Sequence, residues 1–351
     1  MGALFAALVS SQTLRDLIRE RIEEKQAEQH DPKGVPIPRA AGSCEFLNIG
    51  FRVQTFSKGL RAGVWYPVTD AESVFRYANG RTNTALAPDA RVANCEFFPL
   101  IVFSHGFGGC GTQSIFLMEA LARAGYIVVA PDHKDARCKV DEAQRTGGLI
   151  ERGEEPFRQP DKWNAAAYKD RGDDIRRVLD ELSRDPRFSE HIDWSRVGAC
   201  GHSLGGYTIM GLAGGWSSWR DDRIKAAFLL SPYVAPFLSK GTLGSVHIPV
   251  MYQGGTRDFG ITPTIKKKGG AYDSSNAPKF FEELEAAGHF DWTNKICFPY
   301  GSVQACNLES SMARTINEYG IAFFDHYLKG KNESILDHSN TELAEYRHDE
   351  R

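Results

Sequence analysis

The stretch that most constrains the fold is residues 196–208, Arg-Val-Gly-Ala-Cys-Gly-His-Ser-Leu-Gly-Gly-Tyr-Thr. A short apolar run leads into a glycine-rich turn of the pattern Gly-x-Ser-x-Gly, and helix-compatible residues follow it. Strand and helix pass each other closely at such a turn, so the neighbours of the central residue, Ser203, must be small. The pattern predicts a serine hydroxyl at a helix N-terminus, where backbone N–H groups favour developing negative charge. The alternative interpretation is a glycine-rich turn with a capping serine.

Strand and helix patterns alternate on both sides of this turn. Runs expected to form strands lie at 98–103, 126–130, 196–200, 224–230, 248–253 and 279–287. Helical patterns lie at 114–124, 173–182 and 310–328. Two alternating segments, 46–56 and 60–68, predict a hairpin at a sheet edge. The order predicts an α/β fold with a mostly parallel central sheet and helices on both faces.

The chain is expected to have three regions. Residues 1–40 are predicted to form a peripheral helix with a proline-rich connector, 41–330 the main domain, and 331–351 a charged tail that frays. Within the domain, a polar insertion at about 133–168 is too long for an ordinary connection. It follows a predicted strand end, where ligand-covering loops sit in open α/β sheets. We expect a lid or pocket wall there, and a merely decorative insertion is the alternative.

Composition narrows the possible partners. The net charge is −3 and the only basic run is 266–268, so no nucleic-acid partner is expected. No apolar stretch approaches the length of an integral membrane span. The N-terminal apolar patch has no basic residue before it, unlike a signal peptide. We therefore expect a cytoplasmic protein, with secretion as the alternative if a signal peptide has been removed.

The cysteines and glycines give no sign of a metal or a cofactor. Seven cysteines are scattered along the chain without zinc-like spacing. No dinucleotide-binding glycine pattern follows the first strand. Cys297 and Cys306 are close enough for a loop disulfide, and two free thiols are the alternative. The sequence predicts no metal site and no cofactor.

A serine nucleophile needs a base within hydrogen-bond reach and an acid that orients the base. In a fold of this kind the partners follow the serine in the order acid, then histidine, each after a strand. Asp258 follows the strand at 248–253, and His289 follows the strand that ends at Ala287. His133 is the rival base, but it precedes the serine in the chain. Asp258 could instead be a surface aspartate.

A second glycine-rich turn, residues 105–109, follows the buried strand at 98–103. Glycines there let backbone amides face the nucleophile, so the amides of Phe107 and Leu204 are predicted to hold an oxyanion. Aromatic residues near the predicted site are expected to shape the substrate pocket. They are Phe259, Phe290 and Trp163.

The sequence resembles the α/β-hydrolase superfamily. Within it, the chain is most similar to the branch of platelet-activating-factor acetylhydrolases and dienelactone-hydrolase-like esterases, near the polyester hydrolases. The resemblance is carried by residues 64–67, 100–108, 125–133, 201–206 and 288–290. The acetylhydrolases place their acid where this chain has Ser231, and dienelactone hydrolases use a cysteine where it has Ser203. The resemblance therefore implies an α/β-hydrolase fold, and the two departures move the expected acid one strand on, to Asp258, and favour a generic carboxylic-ester hydrolase over those named activities.

These observations predict a cofactor-free serine hydrolase that cleaves small or short-acyl carboxylic esters through an acyl-enzyme, with Ser203, His289 and Asp258 as its triad. A small-molecule ester is the expected partner. An amidase, peptidase or lactonase with the same triad is the alternative, as is a polyester or phospholipid acyl hydrolase. A non-enzymatic binding protein on this scaffold would be expected to lack a triad member, and every member is present.

Overall fold

The computed structural model describes residues 47–78, 83–137 and 157–350. All of them belong to one compact unit, Cys44–Arg351. The predicted helix and connector at 1–40, and residues 138–156 of the predicted insertion, lie outside the described residues.

The described residues form eleven strands in one sheet. They are β1 (Asn48–Thr55), β2 (Arg61–Val68), β3 (Ser73–Arg76), β4 (Asn83–Pro88), β5 (Phe98–Ser104), β6 (Ile127–Pro131), β7 (Ile192–His202), β8 (Ile224–Leu230), β9 (Val250–Gly255), β10 (Lys279–Leu284) and β11 (Leu343–Asp349). The α-helices of the same residues are α1 (Ile115–Arg123), α2 (Lys169–Leu182), α3 (Pro186–Ser189), α4 (Leu204–Met210), α5 (Ala235–Lys240), α6 (Thr262–Lys266), α7 (Ala271–Ser274), α8 (Val303–Glu309) and α9 (Ser311–Lys329).

The strand order across the sheet is β11-β10-β9-β8-β7-β5-β6-β2-β1-β4-β3. The six strands from β10 to β6 pair in parallel, so their C-terminal ends share one edge of the sheet. The predicted mostly parallel sheet is therefore confirmed. The hairpin of β1 and β2 exists, but it is not at the edge as predicted, because β2 also pairs with β6 and β3 lies outermost.

Side chains of the central strands alternate between two apolar cores. In β5, Leu100 and Val102 join one core, and Ile101 and Phe103 join the other. The first core also contains apolar residues of α2, and the second contains those of α1 and α9. Helices thus cover both faces of the sheet, as the uninterrupted apolar strand sequences predict.

The C-terminal tail does not fray as predicted. Residues 343–349 form β11, which pairs antiparallel with β10 and closes that side of the sheet. The strand is half-exposed and rich in charged residues, which is typical of a protected edge strand. Its ring at Tyr346 packs 5.8 Å from that of Tyr319 in α9. A charged segment with few apolar side chains gives little periodic signal, so its pairing was not visible in the sequence.

Cys297 and Cys306 form a disulfide, which decides between the two alternatives left open by their spacing. Cys95 and Cys110 are disulfide-bonded as well. Among the described residues the free cysteine is Cys200, which is buried in β7. Across those same residues, we find no helix that combines the length and the apolar character needed to traverse a bilayer.

Candidate active site

Ser203 stands between β7 and α4 in a backbone conformation that non-glycine residues rarely adopt, with φ 53° and ψ −116°. Two glycines make this turn possible. A Cβ at Gly201 would lie 2.5 Å from the backbone of Gly205, and one at Gly205 would overlap the carbonyl oxygen of Ser104. The strain is stored where a hydroxyl must be presented at a helix N-terminus.

The structure brings the three predicted residues together. His289 Nε2 lies 2.9 Å from Ser203 Oγ, and His289 Nδ1 lies 3.0 Å from Asp258 Oδ2. Asp258 follows β9 and is almost fully buried, whereas the His289 side chain is one-quarter exposed. A histidine held in this way can accept a proton from the serine while the carboxylate stabilises the resulting imidazolium.

A third group, Ser231 after β8, joins the Asp258–His289 pair. Its Oγ donates to Asp258 Oδ2 and lies 2.8 Å from His289 Nδ1. Burial alone would raise the pKa of Asp258, but hydrogen bonds from His289 and Ser231 outweigh it and lower that pKa. Sequence reasoning treated Ser231 only as a missing acid. Its position one strand from Asp258, at the same sheet edge, was the signal that could have found it.

His202, beside the nucleophile, supports the loop that carries His289. Its Nε2 donates to the carbonyl oxygen of His289 at 2.8 Å, and its Nδ1 accepts from Gln113 Nε2 at 3.0 Å. Burial, followed by the neighbouring His289, lowers the pKa of His202 to about 3, so the ring is neutral near pH 7. Gln113 Oε1 also accepts from the Gly106 amide, which links the two loops.

Three amides of the turn at 105–109 donate to acceptors in the protein. Gly106 N donates to Gln113, Gly108 N to Asp135 and Gly109 N to Gly106 O. Within the described part of the chain, the amides of Phe107 and Leu204 donate to no acceptor. These are the two amides predicted to face an oxyanion.

His133, the rival base, lies in a different cluster. Its Nε2 is 2.9 Å from Ser104 Oγ and its Nδ1 is 3.0 Å from Asp174 Oδ2. Burial, followed by the positive charge of Arg171, keeps the pKa of His133 well below its ordinary value. All three members of the cluster are buried, so the structure does not bring His133 to Ser203.

The predicted pocket aromatics occupy different environments. Phe259 directly follows Asp258 in the sequence, and its side chain is 81% exposed. Phe290 directly follows His289 and is 59% exposed. Trp163 has no exposed surface, so it does not line an open cleft as predicted. It stacks on Tyr168, and large neighbouring rings enclose it. The prediction followed from its place in the insertion after a strand end that faces the site.

Comparison with known proteins finds similarity to one group of enzymes. A sequence profile of the family "Platelet-activating factor acetylhydrolase, isoform II" matches residues 53–148, which include the 105–109 turn and end before Ser203. The platelet-activating factor acetylhydrolase of Bos taurus is 28% identical over 182 residues, which cover 45% of this chain and 40% of the relative. That of Cavia porcellus is 26% identical over 166 residues, covering 40% and 36%. That of Canis lupus familiaris is 23% identical over 293 residues, covering 71% and 64%.

The sheet order, the strained serine turn and the serine–histidine–aspartate contacts define an α/β-hydrolase fold. Within that superfamily, the chain is similar to the platelet-activating factor acetylhydrolases. The chain spans between 36% and 64% of the length of these relatives.

Proposed function

We propose that this protein is a serine hydrolase of carboxylic esters, with Ser203 as nucleophile, His289 as general base and Asp258 as the acid that orients it. One observation carries the proposal. The contact chain from Ser203 Oγ through His289 to Asp258 is unbroken, and the two amides predicted to hold the oxyanion, those of Phe107 and Leu204, donate to no acceptor among the described residues.

Both half-reactions, acylation and deacylation, follow from this arrangement. His289 Nε2 takes the hydroxyl proton as Ser203 Oγ attacks the ester carbonyl carbon. The carbonyl oxygen becomes an oxyanion, which the amides of Phe107 and Leu204 stabilise by hydrogen bonding. The protonated His289 then gives its proton to the departing alcohol oxygen, leaving an acyl-enzyme. Water, activated by the same histidine, releases the acid and restores Ser203.

We propose small or short-acyl esters as substrates. The described end of the predicted insertion supports this preference, because its large aromatic rings pack against Phe107 in the turn at 105–109. Phe157 lies 5.6 Å from Phe107, and Tyr168 lies 6.4 Å from it. Trp163 fills the space behind Phe157, at 5.5 Å. We propose that the described end of this insertion, residues 157–168, is a pocket wall and that Trp163 stiffens it. The acetyl ester in the relatives' name favours the same size class.

Phospholipid acyl hydrolysis is a second candidate. The exposed rings of Phe259 and Phe290 favour it, because they offer apolar surface beside the proposed triad to a long alcohol-side chain. In this case the short acyl group would enter the pocket while the larger alcohol moiety stays outside it. The same triad would serve amides or lactones, so a substrate panel must separate these chemistries.

We propose an oxidising compartment in place of the expected cytoplasm. The Cys297–Cys306 disulfide and the disulfide-bonded state of Cys95 and Cys110 support it. Such bonds persist in secreted and periplasmic proteins and are rare in the cytosol. Alkylation of the native protein from its own cells, before and after reduction, measures this directly: newly reactive thiols after reduction are expected, and none would contradict the proposal.

A matched panel tests the function. It contains p-nitrophenyl acetate, butyrate and decanoate, acetyl p-nitroanilide, a short lactone and a phospholipid with an acetyl ester. We expect the acetyl and butyryl esters to be cleaved fastest and Ser203→Ala to abolish the turnover. Ser217→Ala is the control for a serine substitution in the same region. Hydrolysis that survives Ser203→Ala would contradict the proposal, and faster anilide than ester cleavage would favour an amidase.

A further inference from the structure

The peptide between Gly106 and Phe107 is held by its carbonyl oxygen. Gly106 O accepts hydrogen bonds from Gly109 N at 2.9 Å, from His105 Nδ1 at 2.7 Å and from Arg171 Nη2 at 3.3 Å. In a trans peptide the C=O and the next N–H point in opposite directions. Fixing the carbonyl of Gly106 therefore fixes the direction of the Phe107 N–H.

Arg171 reaches this carbonyl from α2 and is fully buried. Its Nη1 donates to His105 O at 2.8 Å. Its Nε and Nη2 donate to the two carboxylate oxygens of Asp135, at 3.0 and 2.9 Å. Asp135 Oδ2 also accepts from the Gly108 amide at 2.9 Å. The Arg171–Asp135 pair therefore forms hydrogen bonds with the backbone of the turn on both sides of Phe107; we call these contacts the clamp.

The neutral ring of His105 adds a further hydrogen bond to this clamp. Its Nε2 accepts from the backbone N–H of His133 at 3.0 Å, so the ring proton resides on Nδ1 and is donated to Gly106 O. Burial, followed by the charge of Arg171, lowers the pKa of His105 well below its ordinary value. Burial would raise the pKa of Asp135, but Arg171 outweighs it and the pKa falls. The Asp135 carboxyl therefore stays charged, and the His105 ring stays neutral, near pH 7.

We propose that Arg171, acting with Asp135 and His105, is a positioning residue that aims the Phe107 N–H at the developing oxyanion. The inference rests on the proposed function and deepens it. The three side chains contact the backbone of the turn, and none of them accepts a hydrogen bond from the Phe107 amide. Loss of the clamp should misdirect that donor without altering the Ser203–His289–Asp258 contacts.

The competing explanation is that Arg171 only stabilises the fold, since its removal leaves a buried carboxylate unpaired. The two explanations differ in the properties of those molecules that remain folded. A stabilising role lowers the melting temperature and the number of active sites, while each remaining site works normally. A positioning role lowers the rate of each site and its affinity for tetrahedral adducts.

The test compares Arg171→Lys and Arg171→Met with Arg176→Met. Arg176 is the control because it lies on the same helix and pairs instead with Asp173. Sites are counted by stoichiometric fluorophosphonate labelling, and kcat/KM for p-nitrophenyl acetate is expressed per site. The second readout is the inhibition constant of an aryl trifluoromethyl ketone, whose hemiketal oxygen occupies the oxyanion position. We expect kcat/KM to fall on the order of 10²-fold in Arg171→Met, less in Arg171→Lys, with a proportional rise in that constant.

Asp135→Asn keeps the test decisive if Arg171→Met fails to fold. It retains an oxygen for Gly108 but weakens the guanidinium contact, and we expect a smaller, parallel change in both readouts. Folded Arg171→Lys and Asp135→Asn with wild-type values per site would overturn the clamp. Ser203→Ala distinguishes failure of this proposal from failure of the esterase proposal. If Ser203→Ala is inactive while Arg171→Lys and Asp135→Asn keep wild-type values, the positioning role is refuted and the esterase proposal stands.

Discussion

Replacement of Asp258 by asparagine should reverse the proton arrangement of His289. The carboxylate accepts from Nδ1 at 3.0 Å, which leaves Nε2 as an acceptor facing Ser203 Oγ at 2.9 Å. An asparagine amide can present an N–H at the same place, and His289 would then keep its proton on Nε2. In that tautomer the ring cannot accept the proton of Ser203.

The size of the effect depends on Ser231. Where the acid is the sole partner of the histidine, this change costs about 10⁴-fold in kcat. Here Ser231 Oγ lies 2.8 Å from Nδ1 and can accept from it, preserving the productive tautomer in part of the molecules. We therefore expect a loss on the order of 10²- to 10³-fold in Asp258→Asn, and about 10⁴-fold when Ser231→Ala is added.

The assay is kcat for p-nitrophenyl acetate per labelled site, across a pH series. Asp291→Asn is the matched control, because Asp291 lies two residues from His289 but accepts from the Gly288 amide at 2.8 Å. We expect the control to lose little activity. Equal losses in Asp258→Asn and Asp291→Asn would refute the assignment of the acid. A double variant no worse than Asp258→Asn would refute the role given to Ser231.

Three further expectations concern packing, pH and substrate length. Gly205→Ala should lower the free energy of unfolding, measured by urea denaturation, by about 1–3 kcal/mol, because the added Cβ would overlap Ser104 O. Gly244→Ala is the control and should change that free energy little, because the space around Gly244 is open. Burial raises the pKa of Glu282 from 4.5 to about 8, so the folded state binds this proton more tightly than the unfolded chain does, and the free energy of unfolding should fall as the pH rises between those values. Glu282→Gln should flatten that slope, and an unchanged slope would contradict the shift. Along a p-nitrophenyl ester series, kcat/KM should peak between acetyl and hexanoyl and then fall, since each fitted methylene contributes at most about 1 kcal/mol until the pocket wall is met; efficient cleavage of emulsified triglyceride would contradict a narrow pocket.

The positions of Ser203, Asp258 and His289 could be predicted because each depends on a local pattern and on a topological rule. The Gly-x-Ser-x-Gly turn needs only its own glycines, and side chains after parallel strands meet at one sheet edge. The central strands were visible for a similar reason. Burial on both faces leaves uninterrupted apolar runs such as 98–103.

The contacts that support the site could not be predicted because they join residues far apart in the chain. Arg171 and Asp135 are separated by 36 residues, and neither stands in a recognisable motif. Trp163 was predicted to line the pocket because its insertion follows a strand end facing the site, yet its ring is buried against Tyr207 and Tyr233, which lie much later in the chain. The strand at 343–349 escaped prediction because an edge strand needs few apolar residues.

The central claim is that Ser203 is the nucleophile, and covalent labelling tests it most directly. The native protein is treated with a fluorophosphonate, its intact mass is measured, and its tryptic peptides are sequenced by mass spectrometry. We predict one adduct per chain, on Ser203 within the peptide spanning 197–220, lost in Ser203→Ala and retained in Ser217→Ala. A stoichiometric adduct on any other residue, or ester hydrolysis by a folded protein that takes up no label, would contradict the account.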